Sequence, residues 1–200
     1  MNRKEKIQLL SSGLYCITAE EHSKGRTDIE VAAQMLDAGV RILQYREKEK
    51  TKLDKFRDCI RLREMTAEHG ALFIVNDDAD LALAVQSDGV HIGQDDMPIE
   101  AVREICGDDM IIGLSTHSPR QADDAVARGA DYIGAGPIYR TSTKKNVCDP
   151  VGLEYLDYAV RNIKIPFVAI GGIKKHNLAE VVSHGAKTVC LVTEITGAKN

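Results

Sequence analysis

The sequence predicts a closed (β/α)8 barrel. Eight short β-rich runs alternate with longer segments of helical periodicity, which implies parallel strands joined by right-handed crossovers. No GxGxxG motif follows the first run, so the barrel is favoured over a doubly wound open sheet, the other parallel architecture with this alternation. The 200 residues, of which 44% are hydrophobic, are enough for one core. We expect a single domain over residues 1–200, with residues 1–13 as an N-terminal helical extension.

Each predicted strand is rich in β-branched and small residues, as a packed barrel interior requires. In chain order the runs are LYCIT (14–18), VRILQYR (40–46), LFIVN (72–76), GVHIG (89–93), IIGLS (111–115), DYIGAG (131–136), FVAIG (167–171) and TVCLVT (188–193). The intervening segments have helical spacing, and in residues 28–39 the side chains of Ile29, Ala32 and Leu36 share one face. Glycines stand where helices should end before the next strand: Gly39, Gly70, Gly129 and Gly185.

The last predicted strand is followed only by residues 194–200, too few for the usual eighth helix. We therefore expect the final helix to be short or missing. Because a parallel barrel buries both faces of each strand, the outer side of strand 8 then needs another cover, or an apolar groove remains between the first and seventh helices. The segment Lys4–Leu10, with Ile7, Leu9 and Leu10, is one candidate cover, and a second subunit is the other.

Composition narrows the function classes. A net charge of −4 argues against broad electrostatic binding to nucleic acid or anionic lipid. The longest apolar runs are strand-sized, and the N-terminus has no secretory signal. Five scattered cysteines without CxxC spacing indicate reduced thiols and no zinc site. We expect a cytoplasmic protein that acts on small molecules, without nucleic-acid or membrane partners; the sequence leaves a homo-oligomer open.

Polar residues follow the strands at the end where barrel enzymes place their active sites. These segments are Gln44–Lys48 after strand 2, Asn76–Asp78 after strand 3, Gln94–Asp96 after strand 4, Ser115–His117 after strand 5, and Thr141–Lys145 after strand 6. Cations, carboxylates, amides and hydroxyls thus converge on one rim of the predicted barrel.

Two cations at the end of strand 2 are suited to phosphate oxygens. Arg46 and Lys48 are two residues apart, so on an extended strand end they point the same way. Arginine offers a planar fork and lysine a point charge. The alternative is a solvated charge cluster, since Glu47, Glu49 and Lys50 lie beside them.

Asp77 and Asp96 end neighbouring strands, so both can reach one ion above the barrel mouth. Mg²⁺ takes one or two carboxylates together with water and substrate phosphate oxygens. The alternative is that such aspartates cap the following helix, and we expect one of each adjacent Asp pair to be structural. His91 lies inside a predicted strand, so we expect it to pack in the core or to support the metal ligands and not to bind the metal itself.

The paired glycines Gly171 and Gly172 follow strand 7, where this fold commonly binds phosphate through backbone N–H groups. Glycine lets the backbone approach an anion closely, although the pair also suits any tight turn. Gly134–Pro137 is expected to shape the exit of strand 6.

The ordered set of strand ends resembles the thiamine-phosphate synthases from about Leu14 to Ile195. The segments that carry the resemblance are QYREK, ND, GVHIGQDD, GLSTHS, GADYIGAGPIYRTSTKK, PFVAIGGI and VCLVTEI. The family's fold is the same (β/α)8 barrel. Its reaction joins an aminopyrimidine methyl diphosphate to a thiazole phosphate, or to the carboxylated thiazole phosphate, and releases diphosphate with the help of Mg²⁺. Arg140 and Glu194 depart from the family's pattern.

The resemblance implies roles for individual residues. Asp77 and Asp96 match the Mg²⁺ ligands, and Arg46, Lys48, Lys144 and Ser115 are the implied catalytic residues, the first three by stabilising the leaving diphosphate. The implied substrate-binding residues are Gln44, Tyr45, Arg46, Glu47, Lys48, Asn76, Ser115, Thr141, Ser142, Thr143, Lys144, Gly172, Val192 and Thr193. No strong general base is needed, because the neutral thiazole nitrogen is already nucleophilic.

Two alternatives stay open at this point. A thiazole tautomerase has a similar barrel and needs a proton carrier, for which His117 would serve, but it has no use for a diphosphate and Mg²⁺ site. A non-catalytic barrel that binds a phosphate ligand would keep Gly171 and Gly172 but not the Mg²⁺ pair. Release of diphosphate when both substrates are present separates the three.

Overall fold

Eight parallel strands close into a barrel in the computed structural model, which describes residues 1–11, 13–143 and 148–198. Each strand pairs with the next along the chain, and β8 pairs with β1. The strands are β1 (Gly13–Ile17), β2 (Ile42–Tyr45), β3 (Leu72–Asn76), β4 (Gly89–Ile92), β5 (Ile111–Thr116), β6 (Tyr132–Ala135), β7 (Phe167–Ala169) and β8 (Thr188–Cys190). The predicted fold class is confirmed, and the largest difference in bounds is at β8, which ends three residues earlier than predicted.

Helices follow the strands on the outside of the barrel. They are α1 (Arg3–Leu9), α2 (Asp28–Asp37), α3 (Lys52–Glu68), α4 (Ala79–Ala84), α5 (Ile99–Cys106), α6 (Pro119–Ala127), α7 (Gly152–Asn162), α8 (Leu178–Ser183) and α9 (Thr193–Thr196), with a 3₁₀ turn at Glu20–His22. Helix α2 begins with a capping box, in which Thr27 Oγ1 accepts from Glu30 N at 3.2 Å and Glu30 Oε2 accepts from Thr27 N at 2.8 Å. Helix starts fixed in this way also fix the ends of the loops at the carboxyl rim.

Alternate strand residues fill the inside of the barrel. Tyr15 and Tyr132 are the largest side chains there, and both are almost fully buried. Gly113 makes room for Tyr132 and His91, because an added Cβ would lie 2.2 Å from Tyr132 Cζ and 2.5 Å from His91 Nδ1. The residues between them on the strands, such as Leu43 and Phe73, point outward and pack under the helices in the larger outer core.

Helix α1 closes the amino-terminal end of the barrel. Leu10 is fully buried and packs with the interior residues Ile42 and Leu72. Thr188 Oγ1 donates to Leu10 O at 2.8 Å, and Lys6 Nζ donates to Asp109 O at 3.1 Å. Lys4–Leu10, one of the two candidate covers for the outer side of strand 8, therefore does not fill that role, because its apolar residues plug the open end of the interior.

The outer side of β8 is covered by its neighbours. Val189 and Leu191 are 8% and 9% exposed and pack with Val181 of α8 and Leu156 of α7. Helix α9 is four residues long, in agreement with the expectation that the final helix is short or missing. Its residue Ile195 packs against the same cluster. In the described parts of the chain, no large hydrophobic side chain of β1 or β8 is exposed, so these two strands leave no open apolar surface.

The cysteines behave mostly as core residues. Cys16, Cys59, Cys106 and Cys190 are buried free thiols, whereas Cys148 is exposed. Burial raises the pKa of the Cys16 thiol to about 12, so it stays protonated. No helix in the described ranges combines the length and the apolar character needed to cross a membrane.

Candidate active site

A cavity opens at the carboxyl ends of the strands. Seven of the predicted site residues line it: Arg46, Ser115, Thr141, Thr143, Gly172, Val192 and Thr193. Apolar side chains, including Ile17 at the end of β1 and Ile170 after β7, form part of its walls. Within the described residues the lining contains no carboxylate, while Arg46 and Lys174 contribute positive charge. The cavity therefore attracts anions.

A chain of buried hydrogen bonds crosses the barrel interior just below this cavity. Gln44 Nε2 donates to Tyr15 OH at 2.8 Å, and Tyr15 OH lies 2.9 Å from Tyr132 OH. His91 connects the chain to the cavity, with Nδ1 3.0 Å from Tyr132 OH and Nε2 3.0 Å from Ser115 Oγ. Burial raises the pKa of both tyrosines, which therefore remain protonated donors. The chain holds Gln44 and Ser115, two predicted site residues, in fixed positions and agrees with the supporting role expected for His91.

The carboxylates of Asp77 and Asp96 meet at the ends of β3 and β4. Asp77 takes a positive φ of 60°, and its N–H donates to His91 O at 2.8 Å, which anchors this turn. Its carboxyl hydrogen-bonds Asp96 and Lys48 Nζ. Burial, then the neighbouring Asp96, raise the pKa of Asp77, and Lys48 opposes the shift. Two carboxylates held this close favour a bound cation, so the donor set fits a small hard ion such as Mg²⁺.

Asp78 has the structural role expected for one member of an adjacent pair. Its two carboxylate oxygens lie 2.7 Å from Lys52 Nζ and 3.3 Å from Lys55 Nζ, both on α3. It makes no side-chain capping hydrogen bond to α4. Asp78 therefore ties the β3 turn to α3, whereas Asp77 pairs with Lys48 and Asp96.

A second acidic cluster lies behind the rim, outside the cavity lining. The carboxylates of Glu20, Asp28 and Glu47 all come within 4.8 Å of one another, and they are the one group of at least three potential metal ligands among the described residues. Lys50 already supplies a cation there, with Nζ 2.5 Å from Glu20 Oε2 and 3.6 Å from Asp28 Oδ2. Glu47 therefore belongs to an ion-pair cluster under the β1 and β2 loops, and its predicted substrate contact is not supported by this position.

Two other predicted contacts, Tyr45 and Ser142, lie away from the cavity. Tyr45 points out of the barrel into the outer core, where its hydroxyl donates to Asp58 Oδ2 at 3.0 Å, so its side chain cannot reach the cavity. Ser142 is exposed in a shallow depression beside Arg140 and is absent from the cavity lining. Lys144 lies outside the described residues.

The glycine pair after β7 is required by a neighbouring loop. An added Cβ on Gly171 would lie 2.3 Å from Pro137 Cβ, and one on Gly172 would lie 2.5 Å from Arg140 O. Both glycines also have positive φ, 95° and 64°. They let the loop after β6 pack across the end of β7, which brings Thr141 to the same side of the cavity as Gly172.

Known proteins share this sequence and architecture over nearly the whole chain. The family profile described as "Thiamine monophosphate synthase" matches residues 14–195. This chain belongs to that family. A thiamine-phosphate synthase of Pelotomaculum thermopropionicum is 62% identical over 96% of this chain and 88% of its own length, and one of Dictyoglomus turgidum is 50% identical over 100% and 90%. The solved thiamine phosphate pyrophosphorylase of Pyrococcus furiosus superposes with a TM-score of 0.87 at 37% identity, covering 96% of this chain and 91% of that one.

Two side chains of this family member were missed as site residues by sequence reasoning. Lys174 lines the cavity beside Thr193, and His117, considered only as a tautomerase base, lines it with Nδ1 2.5 Å from Gly136 O. Lys174 could have been found by continuing past Gly172 into the loop that follows β7. Nothing in the sequence indicated the hydrogen-bonded chain through Tyr15 and Tyr132, because an inward tyrosine in a strand is equally compatible with apolar packing.

Proposed function

We propose that this chain makes thiamine phosphate by joining an aminopyrimidine methyl diphosphate to a thiazole phosphate, with release of diphosphate. The observation that carries the proposal is that the two groups of candidate phosphate-binding residues lie at opposite sides of the barrel mouth. Asp77 and Asp96 follow β3 and β4, whereas Gly172 and Thr193 follow β7 and β8, the strands opposite those two in the closed barrel. Two anionic groups at opposite sides, with apolar walls between them, match two phosphorylated substrates that meet at their rings.

The side with β2 to β4 suits the diphosphate. Arg46 lines the cavity, and Lys48 lies against Asp77. Mg²⁺ held by Asp77 and Asp96 would neutralise charge on the departing diphosphate. Arg46 and Lys48, with Lys144 from the loop after β6, would hold the phosphate oxygens by preorganised electrostatics.

The pyrimidine would lie over the polar chain inside the barrel. Gln44 and Ser115 are both fixed by it, and Asn76 ends the strand next to Gln44. Fixed polar groups can orient the ring nitrogens and amino group without reorganising during the reaction. Ser115 would thus set the position of the carbon that loses the diphosphate.

The side with β7 and β8 suits the thiazole phosphate. Gly172, Val192 and Thr193 line it, and Thr141 and Thr143 approach from the loop after β6, with their hydroxyls 3.1 Å apart. The C–O bond breaks first and its electron pair leaves with diphosphate; the lone pair of the thiazole nitrogen then forms the new C–N bond to the cationic carbon, so no proton needs to be removed. The apolar walls, which include Ile17 and Cys190, would keep water away from the carbocation.

The test is diphosphate release by the purified protein with both substrates and a titration of Mg²⁺. We expect Asp77→Asn and Asp96→Asn each to need at least about tenfold more Mg²⁺ for half-maximal rate, because each removes one carboxylate ligand. Asp78→Asn is the matched control, since Asp78 pairs with Lys52 and Lys55 away from the mouth, and its Mg²⁺ dependence should stay unchanged.

Other outcomes distinguish the alternatives. Conversion of a thiazole carboxylate phosphate isomer without diphosphate release would identify a tautomerase that uses His117. Binding of both phosphates without any turnover would identify a ligand-binding barrel. Wild-type Mg²⁺ dependence in both aspartate variants would contradict the assignment of the metal ligands.

A further inference from the structure

Lys174 stands in the cavity at the side proposed for the thiazole phosphate. It comes three residues after Gly171, in the loop that leads from β7 to α8. Its backbone N–H donates to Asn177 Oδ1 at 2.7 Å, and Asn177 Nδ2 donates to Gly172 O at 3.1 Å, so the loop is braced from within. The side chain is about one-third exposed, at 34%, and reaches back toward the cavity.

The ammonium group of Lys174 is held at the edge of this site. Nζ donates to Thr193 Oγ1 at 2.6 Å and lies 3.4 Å from Glu194 Oε2. Thr193 lines the cavity, whereas Glu194 is exposed and lies outside the lining. An ammonium group has three N–H donors, so the hydrogen bond to Thr193 and the ion pair with Glu194 leave at least one of them for a ligand.

The charge distribution around Lys174 favours an anion. The described part of the cavity lining holds no carboxylate, and Arg46, the other permanent cation in it, comes from β2. Glu194 balances Lys174 from the outside and anchors the next residue too, accepting from Lys175 N at 3.4 Å. Glu194 thus orients the ammonium group without entering the cavity, and an anion beside Thr193 would take the remaining donor.

We propose that Lys174 binds the phosphate of the thiazole substrate and makes the enzyme selective for the phosphorylated thiazole over the corresponding alcohol. This inference rests on the proposed function and adds a specific side-chain cation to a site otherwise built from backbone, hydroxyls and glycine. Thr193 and Glu194 act as positioning residues for it.

The decisive experiment measures steady-state kinetics of Lys174→Met with each substrate varied in turn. We expect KM for the thiazole phosphate to rise roughly 10- to 100-fold, the loss typical of one charge-assisted hydrogen bond, with KM for the pyrimidine diphosphate unchanged. The ratio of kcat/KM for the thiazole phosphate to kcat/KM for the thiazole alcohol should fall by a similar factor. Lys174→Arg should restore most of the selectivity, because it keeps the charge. Lys175→Met is the matched control and should behave as the wild type, since Lys175 is exposed and absent from the cavity lining.

A calorimetric titration of the thiazole phosphate into the wild type and Lys174→Met separates this inference from the proposed function. Weaker binding by the variant supports the role of Lys174 even if the wild type makes no thiamine phosphate, an outcome that would overturn only the proposed function. Equal binding and an unchanged KM for the thiazole phosphate in Lys174→Met would overturn the role of Lys174, as would equal increases in KM for both substrates. If Lys174→Met does not fold, Lys174→Gln replaces it in both measurements.

Discussion

At the scale of single residues, the carboxyl of Asp28 is in an unfavourable environment for a charged group. It is fully buried, neither oxygen accepts a hydrogen bond within the described structure, and the nearest cation, Lys50, is 3.6 Å away. Burial raises its pKa from 3.8 to about 7; Lys50 opposes the shift, while Glu20, Glu47 and Asp58 add to it. The folded protein therefore keeps a proton on Asp28 at pH values where the unfolded chain has lost it.

The difference between the pKa of Asp28 in the folded protein and in the unfolded chain predicts that the free energy of unfolding depends on pH. Because the folded pKa is raised, the free energy of unfolding falls as the pH rises from about 4 to about 7 and is not lowered further by this group above that range. Asp28→Asn cannot ionise, so its stability relative to the wild type should increase by ~2–4 kcal/mol between pH 4 and pH 8. Urea unfolding at both pH values measures this. Glu104→Gln, at an exposed position on α5, should show no such trend. A constant difference between Asp28→Asn and the wild type would mean that folding does not raise the pKa of Asp28.

At the scale of elements, the loops after β6 and β7 are built as one unit. Gly172 has a φ of 64°, and the backbone of Tyr139 and Arg140 occupies the space of a Cβ at this position. Ile138 N donates to Ile170 O at 2.9 Å and Tyr139 N to Gly171 O at 2.9 Å, which joins the two loops in register. The loop that carries Thr141 is therefore positioned by the end of β7.

A comparison of two glycines isolates this contact. Gly70 has nearly the same φ, 59°, but an added Cβ there meets only Arg41 Nη2, at 3.6 Å. Both alanine variants should lose ~1–2 kcal/mol for the left-handed backbone, and Gly172→Ala a further ~1–3 kcal/mol for the clash. Gly172→Ala should also raise KM for the thiazole phosphate, whereas Gly70→Ala should keep wild-type kinetics. Denaturant unfolding and initial rates give both quantities. Equal losses of stability in the two variants would show that the loops are not coupled.

At the scale of the whole molecule, the barrel has a closed end and a reactive end. Helix α1 seals the amino-terminal end through Leu10, while the cavity opens at the carboxyl ends of the strands. Arg3 Nε bonds Asp131 Oδ1 at 2.8 Å, and Lys6 Nζ lies 3.6 Å from Asp88 Oδ1, so charged contacts hold α1 against the loops before β4 and β6. Stability of the sealed end and activity at the open end should therefore respond to different substitutions.

The contribution of Leu10 to the closed end of the barrel can be tested by a substitution that leaves a cavity there. Leu10→Ala should lower the free energy of unfolding by ~2–5 kcal/mol, the usual loss for a fully buried leucine. Leu53→Ala on α3, where the side chain is 57% exposed, should change it by no more than about 0.5 kcal/mol. Under conditions where both variants are folded, turnover should match the wild type. A loss of turnover in folded Leu10→Ala would show that the two ends of the barrel communicate.

Much of the rim could be predicted, because strand periodicity and the direction of a parallel barrel are local properties. Arg46, Ser115, Thr141 and Thr193 line the cavity, as their places at or after the carboxyl ends of strands predicted. The side chain of Tyr45 faces away from the cavity, and the period-two alternation of β2 could have predicted this: with Gln44 facing inward, Tyr45 must face outward. The charge pattern that joins Glu47 to Glu20 and Asp28 could not be predicted, since it depends on how two loops and one helix start pack together.

The sequence by itself determined the order of strands and helices, the closed barrel and the family, because hydrophobic period and motif order are written along the chain. The tertiary structure alone decided that α1 plugs the end of the barrel and does not flank β8. It also decided that Tyr15 and Tyr132 link Gln44 to His91 and Ser115, and that Lys174 turns back toward Thr193. These contacts join residues far apart in the chain, and their energies depend on which groups share a buried space, a quantity fixed only when the barrel closes.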